Sequence, residues 1–137
     1  MTLNDYTFLE DDLEQASLEW LEEIGYEIRN GVEFAPSGAN SERKDFGEVV
    51  LENRLKFALQ RINDVSDDVI DEAIRKITIP QNPQMTINNR TFHKFITDGI
   101  DIATREDDRN VTKKVWLFDF EQHKNNDFLA INQFIVM

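Results

Sequence analysis

Carboxylates are the side chains of this sequence with the number and placing to do chemistry. Of 137 residues, 27 are Asp or Glu, none is Cys, and His93 and His123 are the only imidazoles. Without cysteine there is no disulfide framework and no thiolate zinc site. A histidine in a polar turn, as His123 is, reads as a surface residue rather than a ligand. No glycine-rich phosphate loop, Gly-x-Ser-x-Gly or His-Glu-x-x-His motif occurs, and the missing Walker-type loop excludes ATP hydrolysis of that class by this chain. What carboxylates do well is hold Mg²⁺, a hard cation that takes oxygen ligands.

A second polar group lies in the stretch from Lys114 to Met137, KVWLFDFEQHKNNDFLAINQFIVM. Asn126, Asp127, Asn132 and Gln133 stand in or beside an apolar run that reads as a buried strand. An unpaired buried amide costs about 1 to 3 kcal/mol, so these residues must be paired. Either Asn126 and Asp127 fix a turn while Asn132 and Gln133 brace neighbouring loops, or the group acts directly at DNA or a metal. Asp119 supports such a site or caps a strand end.

The elements that position these residues follow from periodicity. Val115–Phe120 and Asp127–Val136 are dense β-forming runs joined by a polar loop, Glu121 to Asn126, which predicts an antiparallel hairpin. The second run is apolar on both alternating faces, as a strand covered on both sides would be. Thr7 and Glu10 form a capping box for a first helix. Its inward stripe is Leu9, Leu13, Ala16, Trp20, Leu21 and Ile24, and Gly25 is its stop. On that reading Trp20→Ala costs about 3 to 5 kcal/mol. The acids of this helix mostly form a solvated face. Tyr26–Ile28 and Val32–Phe34 flank an Asn-Gly turn. A second helix is expected from Glu42 to Ile62 and a third after Ser66 to Ile77, with Asp67, Asp68 and Asp71 at its start and Arg75 and Lys76 at its end, as the helix dipole favours. A fourth runs from Asn89 to Asp98, stopped by Gly99, and Ile100–Ala103 alternates like a half-exposed strand.

The chain has a single domain's length, and its 40% hydrophobic content excludes wholesale disorder. A net charge of −12 argues against an autonomous nucleic-acid binder, because affinity for DNA comes largely from Lys and Arg neutralising phosphates. The acidic N-terminus resembles no secretory leader and no apolar run approaches a membrane span, so a soluble cytoplasmic protein without a membrane partner is expected.

The segment "DF…NNDFLAINQF" resembles the N-terminal part of the restriction (R) subunit of type I restriction-modification enzymes. "LEQASLEWLEEIGYE", "VVLENRLKFALQRIN", "IDEAIRKI" and "NNRTFHKFITDGI" resemble the same family in the same order, so the likeness runs from about Leu13 onward. It implies an α+β, mixed α/β fold: helices on a small sheet, a partial restriction-endonuclease-like arrangement. Residues 1–137 would then be one domain, the N-terminal portion of a nuclease domain that stops before an Asp and a Glu-x-Lys. It implies a parent that cleaves DNA with Mg²⁺ after ATP-driven translocation, in complex with methylation and specificity subunits. The fragment alone would be inactive, with neither cofactor bound. It also implies Glu14 as the glutamate placed on the first helix near the metal, although a salt bridge would explain such a residue equally well.

Two other readings compete, a stand-alone protein-interaction module and an acidic DNA mimic. Mimicry needs carboxylates spaced along one face like phosphates, whereas many here sit at helix N-termini or beside Arg and Lys. If the sheet is left with an exposed apolar edge at 127–136, a homodimer through that edge is expected, weakened by a lysine at Ile135.

Overall fold

The computed structural model describes residues 3–38, 41–80 and 82–136. The fold is mixed α+β, and contacts divide the chain into two compact units, Met1–Val49 with Phe128–Met137, and Val50–Asp127.

In the first unit α1 (Leu3–Glu23) contains Thr7 and Glu10 within its body, so the capping box does not start it. Its end is as the sequence indicates. Gly25 takes φ 106°, the Tyr26 N–H donates to the Leu21 carbonyl and the Gly25 N–H to that of Glu22. A left-handed residue with these two bonds satisfies carbonyls that the helix leaves open. The packed face differs from the expected stripe. Glu14, Leu18 and Leu21 are partly buried, while Leu13, Trp20 and Ile24 are 66, 65 and 74% exposed. Removing Trp20 therefore empties no core, and the loss of about 3 to 5 kcal/mol expected of a buried aromatic does not apply.

After α1 the chain forms β1 (Glu27–Asn30) and then a single helical turn, α2 (Gly31–Phe34), in place of the expected strand pair around Asn-Gly. The reason is Asn30, whose side-chain oxygen accepts the Val32 N–H at 2.9 Å and caps the turn. β1 pairs in parallel with β4 (Leu129–Asn132), from Glu27 opposite Leu129 to Asn30 opposite Asn132. The Tyr26 and Phe128 rings, 5.3 Å apart, continue this pairing just outside the strands. The C-terminal hairpin is thus absent: β4 is four residues long, its partner is β1, and Ile135 lies beyond it.

Residues 41–51 are not helical, although the pattern predicts a helix from Glu42. Local bonds outcompete it: Asp45 Oδ1 accepts the Gly47 N–H and the Glu48 carboxylate accepts the Lys44 N–H, each at 2.8 Å. This loop buries Arg43, which is 2% exposed.

In the second unit α4 (Asp67–Thr78) packs on a hairpin of β2 (Ile100–Glu106) and β3 (Arg109–Val115), and α3 (Glu52–Ile62) packs on α4. Ile100 faces Val115 in the register and Ile102 faces Lys113. Its core is Leu59, Val69, Ile70, Ala73, Ile100, Ile102 and Val115. α5 (Met85–Asp98) begins four residues before the expected start, because Asn88 pairs through both side-chain atoms with the Asn82 backbone. Gly99, at φ 79°, ends it as expected.

The expected strand Val115–Phe120 begins where β3 ends. Beyond Val115 the chain is irregular up to a 3-10 turn at His123–Asn125. Asparagine side chains do there what a neighbouring strand would have done. Asn63 Oδ1 accepts the Trp116 N–H at 2.8 Å, and Asn63 Nδ2 donates to the Trp116 carbonyl at 2.9 Å. Such bidentate pairing satisfies the backbone without a sheet.

Candidate functional site

The structure brings Glu14 and Gln133 together. Glu14 lies on the packed face of α1, and Gln133 Nε2 donates to its Oε1 at 3.2 Å and its Oε2 at 3.4 Å. These residues are 119 positions apart, and the geometry that joins them is built from the backbone upward. Asn132 is the last residue of β4, opposite Asn30. Gln133 then turns into the left-handed region at φ 55°. For a residue with a Cβ that conformation costs roughly 1 to 2 kcal/mol, so surrounding structure must hold it.

Two supports are visible, and sequence reasoning missed both as site elements. Gly31 lies so close to this segment that a Cβ there would stand 2.3 Å from the Gln133 carbonyl oxygen and 2.8 Å from the Phe134 Cα. Only glycine allows that approach. On the following residue, the Arg43 guanidinium lies 3.9 Å from the centroid of the Phe134 ring. Arg43 is fixed in turn by Nε donating to the Glu48 carbonyl and Nη2 to that of Phe46, both at 2.8 Å. Its Nη1 is buried without a hydrogen-bond partner. A buried cation over a ring is worth up to about 2 kcal/mol, so Arg43 is a strong clamp on Phe134. The signal in the sequence was weak, because Arg43 falls in the first half of the expected helix from Glu42 to Ile62, the half that is not helical.

Asp119, Asn126 and Asp127 lie in the other unit and have structural partners there. Asn126 Oδ1 accepts the Asp119 N–H at 2.8 Å and Nδ2 donates to the Asp119 carbonyl at 2.9 Å. The Asp119 carboxylate accepts the N–H groups of Gln122 and Glu121 through Oδ1, and the side-chain amide of Asn125 through Oδ2. Asp127 pairs with Arg54 at 3.0 Å. Asn126 and Asp119 therefore shape the loop.

The Gln122 backbone N–H, followed by the Asn125 amide, holds the Asp119 carboxyl below the usual aspartate range. A depressed folded-state pKa stabilises the fold above the unfolded pKa, and that contribution disappears as pH falls through the lowered value. Acid unfolding should therefore steepen below about pH 4, the ordinary aspartate range. Asp119→Asn should flatten the dependence in that window, read from urea midpoints at several pH values; unchanged curvature would mean that the loop does not hold the charge.

Among the described residues no three His, Asp or Glu side chains converge to hold a metal ion. Glu14 is a single carboxylate, and a Mg²⁺ ion, which takes about six oxygens, needs further donors. No described helix is long and apolar enough to cross a membrane.

Comparison with known proteins agrees with the likeness seen in the sequence. The chain is 29% identical over 125 residues to the type I restriction enzyme HindI endonuclease subunit of Haemophilus influenzae. It is 28% identical over 125 residues to a putative type I restriction enzyme MjaIXP endonuclease subunit of Methanocaldococcus jannaschii. Each match covers 90% of this chain and 12% of the relative, so the chain spans about an eighth of their length. No solved structure matches it. The family model for the type I restriction enzyme R protein N terminus matches residues 7–137. With residues 7–137 inside that model, nearly its whole length, the chain belongs to the type I restriction enzyme R protein N-terminal family.

Proposed function

We propose that this chain is the N-terminal portion of a restriction-endonuclease-like nuclease domain, contributing Glu14 to a Mg²⁺ site that cleaves DNA. Carboxylates supplied from outside residues 1–137 complete that site. The observation that carries this reading is the contact between Glu14 and Gln133, because the chain holds a strained residue in place to meet a single carboxylate. Glu14 would hold the ion through a carboxylate oxygen, and Gln133 would orient that carboxylate through its amide. Mg²⁺ bound there would polarise the scissile phosphodiester and lower the pKa of attacking water. ATP-driven movement along DNA, and the methylation and specificity subunits, belong to the whole enzyme in this reading. The relatives' names as endonuclease subunits support it.

The chain alone is expected not to nick plasmid DNA in Mg²⁺, since a single carboxylate cannot assemble the ion's shell. It should nevertheless retain a weak preference for the ion at Glu14. With Mn²⁺ as a paramagnetic stand-in for Mg²⁺, the side-chain amide of Gln133 should broaden first in a nitrogen-edited NMR spectrum. Broadening that begins instead at the exposed acids of α1 would overturn this assignment, and nicking that vanishes in Glu14→Ala would overturn the expectation that the chain alone is inactive.

A further inference from the structure

The loop after β3 holds an unexplained aromatic surface. A cavity of about 330 Å³ is lined by Ile62, Trp116, Phe118, Asp119, Phe120 and Glu121, all in the second unit. Trp116 is 40% exposed and Phe120 53%. Phe118 and Phe120 meet edge to face at 5.0 Å, and His123 stands 6.3 Å from Phe118. Exposing aromatics in a cluster is costly in water, and a contiguous patch of this kind marks a contact surface. The backbone beneath it is fixed at both ends, at Trp116 by Asn63 and at Asp119 by Asn126, so the rings are held where they are rather than left to collapse.

The charged groups of the lining are both acidic. Asp119 stays ionised through the donors described above, and Glu121 is exposed. Carboxylates repel phosphates, which argues against a nucleic-acid base stacking here. Rings with carboxylates beside them suit a cation, because the ring face attracts positive charge and the acids neutralise it. Lys114 Nζ, held by Asp101 at 3.2 Å, stands 5.6 Å from the centroid of Trp116, so that ring already meets one cation. The volume is at the lower end of the range for ligand sites, enough for one long side chain.

We infer that this cavity is a docking site for a basic segment of a partner protein, seating one arginine or lysine side chain against Trp116, Phe118 and Phe120 with Glu121 at its rim. The inference is independent of Glu14, which lies in the other unit. Arginine is the better fit, since its flat guanidinium stacks on rings while donating to carboxylates.

The test uses the whole chain carrying Trp20→Phe, so that Trp116 is the remaining indole and reports by its emission. The probe is a capped Gly-Gly-Arg-Gly-Gly peptide, with the same peptide bearing neutral citrulline as its control. The arginine peptide should give a saturable change in Trp116 emission and shift the amides of residues 117–121. Citrulline, or Glu121→Lys in the protein, should weaken the effect about tenfold, the loss of one charge pair with a ring contact. Glu121 is exposed, so its replacement leaves the core intact, and an unchanged urea midpoint verifies this. Equal effects of the two peptides, no effect of either, or stronger shifts with oligothymidylate than with arginine would each overturn the inference.

Discussion

Replacing Gly31 with valine is expected to destabilise the first unit by about 3 kcal/mol and to separate Gln133 from Glu14. Overpacking usually costs about 1 to 3 kcal/mol, and the upper end applies where the obstacle is backbone rather than a flexible side chain. Here the Cβ would meet the Gln133 carbonyl oxygen at 2.3 Å and carbon at 2.7 Å. Gln133 cannot yield without leaving φ 55°, and once it does, its amide no longer points to the Glu14 carboxylate. Gly25→Ala is the internal comparison. Its φ of 106° makes any side chain strained, but nothing lies within 4 Å of the added Cβ, so it should leave the Gln133 amide resonance where it is. A urea midpoint for Gly31→Val equal to that of the unaltered chain, with the Gln133 side-chain amide unmoved, would show that this close approach does not hold the site.

What the sequence made legible was local. The stop of α1 at Gly25, the charge pattern of α4 and the stop of α5 at Gly99 depend on residues within a turn of one another, and all three stand. Pairing at a distance was not legible. The apolar run at Asp127–Val136 looks like half of a hairpin because Val115–Phe120 lies close by in sequence, yet its partner is Glu27–Asn30 in parallel. A parallel pair needs a long crossover, and short-range turn chemistry carries no sign of it. Of the true hairpin the first strand was legible, at Ile100–Ala103, and the second was not. β3, Arg-Asn-Val-Thr-Lys-Lys-Val, is mostly polar, and its turn uses Asp107 and Asp108 at φ 49° and 62° where Asn-Gly would have been plainer. Trp20 was misplaced because an apolar stripe at helical spacing says which residues share a face, not whether anything covers it. As for the site, Glu14 and Gln133 could be singled out from resemblance and from polarity, but their contact, and its dependence on Gly31 and Arg43, required the fold.

The role given to Glu14 is most directly measured by plasmid cleavage in the complete endonuclease subunit carrying this region, assembled with its partner subunits in Mg²⁺ and ATP. Glu14→Gln keeps the side chain's size and a hydrogen-bond acceptor for Gln133, and removes only the charge a metal would need. If Glu14 is a ligand, cleavage should fall at least about 100-fold, the scale on which a ligand or its orienting partner acts at a metal site. ATP hydrolysis should stay within about twofold of the unaltered enzyme, because no phosphate-binding loop lies in this region. Cleavage within about threefold of the unaltered enzyme would contradict the account, leaving the contact between Glu14 and Gln133 a brace of the fold and nothing more.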